Sequence, residues 1–125
     1  METKAARRLL PDVVPHADAA ADAGRAALLV HALAEDPRLL HAGTQDWLHQ
    51  RYREPAMPAS YALMHRLRQA GHAAAISGAG PSVLVLGTAA GLAGLEQHVD
   101  EHARLYRLGI GTKACRVDVV LSDES

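Results

Sequence analysis

Apolar and polar positions follow a helical period along the first part of the chain and a period of two near its end. Thr3 to Leu10 reads as a short helix stopped by Pro11, with Thr3 suited to cap it through its hydroxyl. Pro15 opens a second helix running to about Glu35. Asp18, Asp22, Arg25 and His31 form its polar stripe, and Ala26, Leu29, Val30 and Leu33 belong to a wide face predicted to be buried. A short helical stretch follows from Pro37 to about Ala42, then another from Asp46 to Tyr52, with Pro55 and Pro58 bounding the next loop. Ser60 to Ala70 is a helix with Leu63, Leu67 and Ala70 on one face and Gly71 placed to end it.

Beyond residue 72 the pattern changes. Ala73 to Ile76 and Val83 to Leu86 are apolar runs of strand length, separated by Ser-Gly-Ala-Gly-Pro-Ser. Leu92 to Leu105 is predicted to be a helix. After a glycine turn, Cys115, Val117, Val119 and Leu121 alternate with Ala114, Arg116, Asp118 and Val120, as in a half-buried strand. Helices followed by strand, strand, helix and strand predict an α+β two-layer domain with helices packed on a small sheet.

Composition narrows the classes. The 125 residues suit one domain, with 49% hydrophobic and 22% charged residues. There is no Phe, so Ala, Leu and Val must build the core. A net charge of -1 without a basic run gives no nucleic-acid footprint. No apolar stretch approaches the roughly 20 residues of a membrane span. Cys115 is the lone cysteine, and the charged first residues carry no secretory core, so a cytoplasmic setting is expected.

Three segments could carry chemistry. Ile76-Ser77-Gly78-Ala79-Gly80-Pro81-Ser82 joins two strands. Its glycines permit positive φ or a close approach, and its N–H groups could form an anion-binding concavity. Read alone, it could equally be a tight hairpin turn. It lacks the Gly-Lys-Ser/Thr of a P-loop, and a strand follows it where a dinucleotide fingerprint needs a helix. Thr3 and Arg7 lie four residues apart on a helix and could face one ligand, the guanidinium taking a carboxylate. The plainer reading is a capped helix with a solvated arginine. Arg53, in Arg51-Tyr52-Arg53-Glu54-Pro55, reads either as a second carboxylate ligand or as an ordinary helix-end cation. His98 and His102 are also four apart, but they do not make the HExxH pattern and have no evident third ligand, so no metal site is expected.

Ile-Ser-Gly-Ala-Gly-Pro-Ser-Val-Leu-Val-Leu resembles the third sequence motif of the GHMP kinases, the superfamily of galactokinase and of homoserine, mevalonate and phosphomevalonate kinases. Thr3-Lys4-Ala5-Ala6-Arg7 followed by Leu9-Leu10-Pro11, the long helix after it, and the Tyr52-Arg53 segment are similar to the homoserine kinase branch. The resemblance covers nearly the whole chain. It implies a ferredoxin-like C-terminal domain over 1–125, with strands near 73–77, 82–87 and 113–121 and a first strand preceding Thr3. It implies that Thr3, Arg7 and Arg53 bind L-homoserine. It also implies that the loop Ser77, Gly78, Ala79, Gly80, Pro81 and Ser82 supports the nucleotide phosphates, with a side chain at either glycine pushing two domains apart.

Such kinases move the γ-phosphate of ATP, with Mg2+, to the homoserine hydroxyl in threonine biosynthesis. The loop that wraps ATP belongs to an N-terminal domain whose motif does not occur in these residues. None of the residues here is expected to be catalytic, and the chain alone is expected to hold neither ATP nor Mg2+, to lack kinase activity, and to be marginally stable with an open sheet edge. Its expected partners are L-homoserine and that N-terminal domain, plus a second copy, since full-length relatives are often dimers. Two other readings remain: a stand-alone amino-acid-binding or regulatory module, and the C-terminal half of another GHMP small-molecule kinase. Two guanidiniums suit a carboxylate better than a neutral alcohol.

Overall fold

The computed structural model describes residues 3–101 and 103–110. Helix α1 spans Thr3–Arg8, α2 His16–Ala34, α3 Leu40–Gly43, α4 Gln50–Arg53 and α5 Pro58–Gln69. Strands β1 (Ala73–Ile76) and β2 (Val83–Leu86) form an antiparallel hairpin in which Ala73 faces Leu86 and Ile76 faces Val83. The prolines punctuate this order as their geometry requires. Pro15 precedes α2, Pro37 begins a 3-10 turn, and Pro58 is the first residue of α5, where a missing N–H costs nothing.

Strand alternation sends the two faces of the hairpin to different neighbours. Ala74, Ile76, Val83 and Val85 pack with Met64 and Leu67 of α5 and with Leu95. Ala73 and Leu86 turn the other way, to Ala32 of α2 and Leu40 of α3. Alanine dominates β1 because helices approach it from both sides. The α+β class therefore holds, with helices against both faces of the hairpin. Arg68 ties these layers together. Its Nη1 donates to Thr44 Oγ1 at 2.9 Å and Ala74 O at 2.8 Å, its Nη2 to His41 O at 2.6 Å, and His41 Nε2 lies 3.1 Å from Arg68 O. Burial lowers the Arg68 pKa, yet a guanidinium stays charged at any pH a protein tolerates.

Helices α2 and α3 cross closely at Gly43. A Cβ there would stand 2.9 Å from Leu29 Cα and 3.0 Å from Leu29 N, inside the α2 main chain.

Three expectations need correction or limits. The described residues of 92–105 are not a helix: they form turns, a 3-10 segment at Leu95–His98, and no regular secondary structure from residue 104. Gly91 and Gly94 weaken helix there, Gly94 adopts φ 75°, and Val99 is extended, so only Leu95 is buried. The wide buried face of α2 is narrower than its composition predicts. Ala32 is fully buried, while Val30 and Leu33 are 70% and 54% exposed. Two strands are present among the described residues; the third expected strand, at 113–121 with Cys115, lies outside them, as does His102. No described helix is long and apolar enough to cross a membrane.

Candidate functional site

The glycine loop is held by its own backbone and by α4. Ser77 N donates to Ser82 O at 2.8 Å, and Gly80 N to Ser77 O at 3.0 Å, closing the turn. Gly78 and Gly80 adopt φ 58° and 77°, and the Gly80–Pro81 peptide is cis. Among the described residues the N–H groups of Gly78 and Ala79 meet no acceptor. Adjacent unsatisfied amides in such a turn suit an anion. Gly80 must be glycine for a reason within this chain: a Cβ would lie 2.6 Å from Met57 Sδ, and Met57 is buried. At Gly78 a Cβ meets nothing within 4 Å. Within this chain a side chain at Gly80 would first meet Met57, and one at Gly78 would meet nothing.

Helix α4 supplies two clamps on the loop. Arg53 Nη1 donates to Gly78 O at 3.0 Å, and Gln50 Oε1 accepts from Ile76 N at 2.6 Å. Asp46 stands ahead of this helix and ties down its entry. Its Oδ2 accepts from His49 N at 3.0 Å and Gln50 N at 2.6 Å, and its Oδ1 lies 2.7 Å from His49 Nδ1. Burial pushes the Asp46 carboxyl up, but the bonds from Gln50 N, the His49 ring and His49 N win and hold it below the ordinary carboxylate value.

These elements border an open hollow of about 550 Å³ lined by Arg7, Arg53, Gly78 and Ala79, with Asp46, His49 and Gln50 among the other walls. Arg7 from α1, Arg53 from α4 and the tip of the glycine loop thus meet in one place, though they are far apart in sequence. Thr3 stands at the first position of α1, one helical turn before Arg7. Ser77, Gly80, Pro81 and Ser82 shape the loop and do not line the cavity. Arg53 Nε is buried and has no partner among the described residues. Arg51 turns away, to Asp18 Oδ2 at 2.5 Å and Tyr52 Oη at 2.7 Å.

Sequence reasoning missed Asp46, His49 and Gln50. The legible signal was an Asp at the start of a helical run, with a His three and a Gln four residues later. Among the described residues no group of three or more His, Cys, Asp or Glu side chains could hold a metal.

The family model for the C-terminal domain of GHMP kinases matches residues 20–103, and the chain belongs to that family. It is 53% identical over 116 residues to a homoserine kinase of Streptomyces avermitilis, covering 93% of this chain and 36% of the relative. It is 62% identical over 87 residues to the homoserine kinase of Streptomyces coelicolor, and 54% identical over 88 residues to that of Clavibacter michiganensis, covering 70% of this chain and 28% of each relative. The chain spans about a third of the length of the first of these relatives.

Proposed function

We propose that this chain is the amino-acid-binding part of a homoserine kinase, a C-terminal domain over residues 1–125 that works with an N-terminal ATP-binding domain. The observation that carries the reading is the shared cavity: two arginines beside a turn with two unsatisfied amides. Arg7 and Arg53, which line the same hollow, supply charge for a substrate carboxylate. Thr3 adds a short polar contact from the same helix. The loop from Ser77 to Ser82 presents its amides to phosphate oxygens brought by the other domain.

Phosphoryl transfer requires the phosphates, a metal and the attacking hydroxyl to be aligned. ATP with Mg2+ supplies the phosphoryl group and its charge neutralisation. The only acidic side chain lining this cavity among the described residues, Asp46, is committed to His49 and two backbone amides, so Mg2+ would be held by the phosphates and the N-terminal domain. What this chain does is bind and orient the substrate hydroxyl and support the phosphate site, in threonine biosynthesis in the cytoplasm.

The test is ADP release with ATP, Mg2+ and L-homoserine. The chain alone should give no turnover. Joined to the N-terminal portion of the Streptomyces avermitilis relative, it should give homoserine-dependent turnover that Arg53→Ala reduces by at least about a hundredfold, as loss of two charge-assisted hydrogen bonds implies. Turnover of the joined protein with mevalonate or galactose in preference to homoserine would overturn the assignment.

A further inference from the structure

The Gly78 and Ala79 amides meet no acceptor among the described residues, yet each belongs to a peptide unit whose carbonyl is held. The unit joining Ser77 to Gly78 is fixed by Gly80 N, which donates to Ser77 O at 3.0 Å. The unit joining Gly78 to Ala79 is fixed by Arg53 Nη1, which donates to Gly78 O at 3.0 Å. In a planar trans peptide the N–H points opposite to the C=O. Arg53 therefore turns the Ala79 N–H away from α4, and the turn itself directs the Gly78 N–H.

Holding one carbonyl does not fix a loop while the strand before it can shift. Gln50 holds that strand. Ser77 N donates to Ser82 O at 2.8 Å, so the N–H of the preceding residue, Ile76, points out of the hairpin and away from β2. Gln50 Oε1 accepts from it at 2.6 Å. Gln50 is the first residue of α4 and Arg53 the last, three positions on, so both side chains leave one face of the helix. Gln50 N is pinned in turn by Asp46 Oδ2 at 2.6 Å. One helical turn thus grips the loop at its entry and at its tip. The hairpin closes through its own ladder and needs neither bond for that. What the two bonds set is where the free amides stand relative to the hollow lined by Arg7 and Arg53.

We propose that Gln50 is a positioning residue: with Arg53 it locks the glycine loop to α4, so that the Gly78 and Ala79 amides meet the nucleotide phosphates at a fixed distance from the amino-acid site. This rests on the kinase reading above and adds to it a residue that acts through the loop. The alternative role, Gln50 as a direct ligand, would use its NH2 as a donor, whereas the clamp uses its oxygen as an acceptor.

Kinetics of the chain joined to the N-terminal portion of the Streptomyces avermitilis relative test it, with ATP and L-homoserine varied separately. Gln50→Met keeps the stem and removes the acceptor. It should raise KM for ATP about tenfold and leave KM for homoserine within about twofold, as loss of one anchoring hydrogen bond on the phosphate side implies. Gln50→Asn, one carbon too short to reach Ile76 N, should do the same, and it carries the test where the methionine variant does not fold. Gln50→Glu keeps an acceptor and has no NH2, so it should restore most of the affinity for ATP. Hydrogen exchange at the Ile76 amide should be faster in the Met and Asn variants and close to the parent in Gln50→Glu. An unchanged KM for ATP in both Gln50→Met and Gln50→Asn overturns the role of Gln50 and leaves the kinase reading intact. So does a raised KM for homoserine that Gln50→Glu fails to rescue, the mark of a direct ligand. A parent protein without homoserine-dependent turnover overturns both.

Discussion

Replacing Arg68 by methionine should cost far more stability than replacing Arg66, although the two lie two residues apart on one helix. Methionine keeps an unbranched apolar stem and removes the donors. Arg68 donates to Thr44 Oγ1, Ala74 O and His41 O, and these acceptors belong to the α3 end and to β1. A hydrogen bond to a charged group contributes about 1.5–3 kcal/mol, and leaving a buried carbonyl unpaired adds to the loss. Arg68 is only partly buried, so water can reach some of these acceptors and each bond is discounted to about 1 kcal/mol. The expected total is about 3 kcal/mol. Arg66 meets Asp100 at 3.2 Å with the two side chains 47% and 52% exposed, and such pairs contribute about 0–1 kcal/mol. In urea unfolding followed by circular dichroism, with a slope of about 2 kcal/mol per molar, Arg68→Met should lower the midpoint by about 1.5 M and Arg66→Met by less than about 0.5 M. Equal shifts for the two variants would refute the view that Arg68 staples the layers.

Other substitutions probe the close approaches and the charged cap. Gly80→Ala should destabilise by about 2–4 kcal/mol through its left-handed φ and its contact with Met57, whereas Gly78→Ala should cost about 1–2 kcal/mol from φ alone; thermal melts would rank them, and adding Met57→Ala should cancel part of the Gly80 effect. Gly43→Ala should cost about 2 kcal/mol or more, because its Cβ meets α2 main chain that no rotamer change can move, and a melt within a degree of the parent would contradict that packing. The Asp46 carboxyl is held below its ordinary value, so its contribution is present above about pH 4 and lost as pH falls through the lower folded value. Asp46→Asn keeps a capping oxygen but should flatten the stability profile in that acid window, which urea midpoints measured from pH 2.5 to 6 would show.

Much of the fold was legible because short-range physics determines it. Prolines at 15 and 37 and the run from Ser60 to Ala70 announced helices within a few residues of where they lie, while Pro58, read as a loop boundary, is the first residue of α5. Two apolar tetrads around a glycine loop announced the hairpin, and the residues of that loop carried the resemblance to GHMP kinases. The segment from Leu92 to Leu105 misled because its leucine spacing outweighed two glycines whose backbone freedom favoured turns. The α2 helix misled differently. Its apolar content predicts a wide hidden face, but how much of that face is covered depends on which neighbours arrive, and Val30 and Leu33 stay mostly exposed.

By itself the sequence marked the long helix after Pro15, the helix ending at Gly71 and the two strands of the hairpin, and showed that its glycine loop and arginines are of the type used to hold anions. Only the tertiary structure decided that Arg7, Arg53 and the loop tip share a cavity, that Arg53 is bonded to the loop, and that Gln50 of the same helix holds the strand before it. Local periodicity reflects steric and hydrogen-bonding rules over a few residues, whereas a cavity is made by chain segments tens of residues apart, brought together by burial of the small side chains between them.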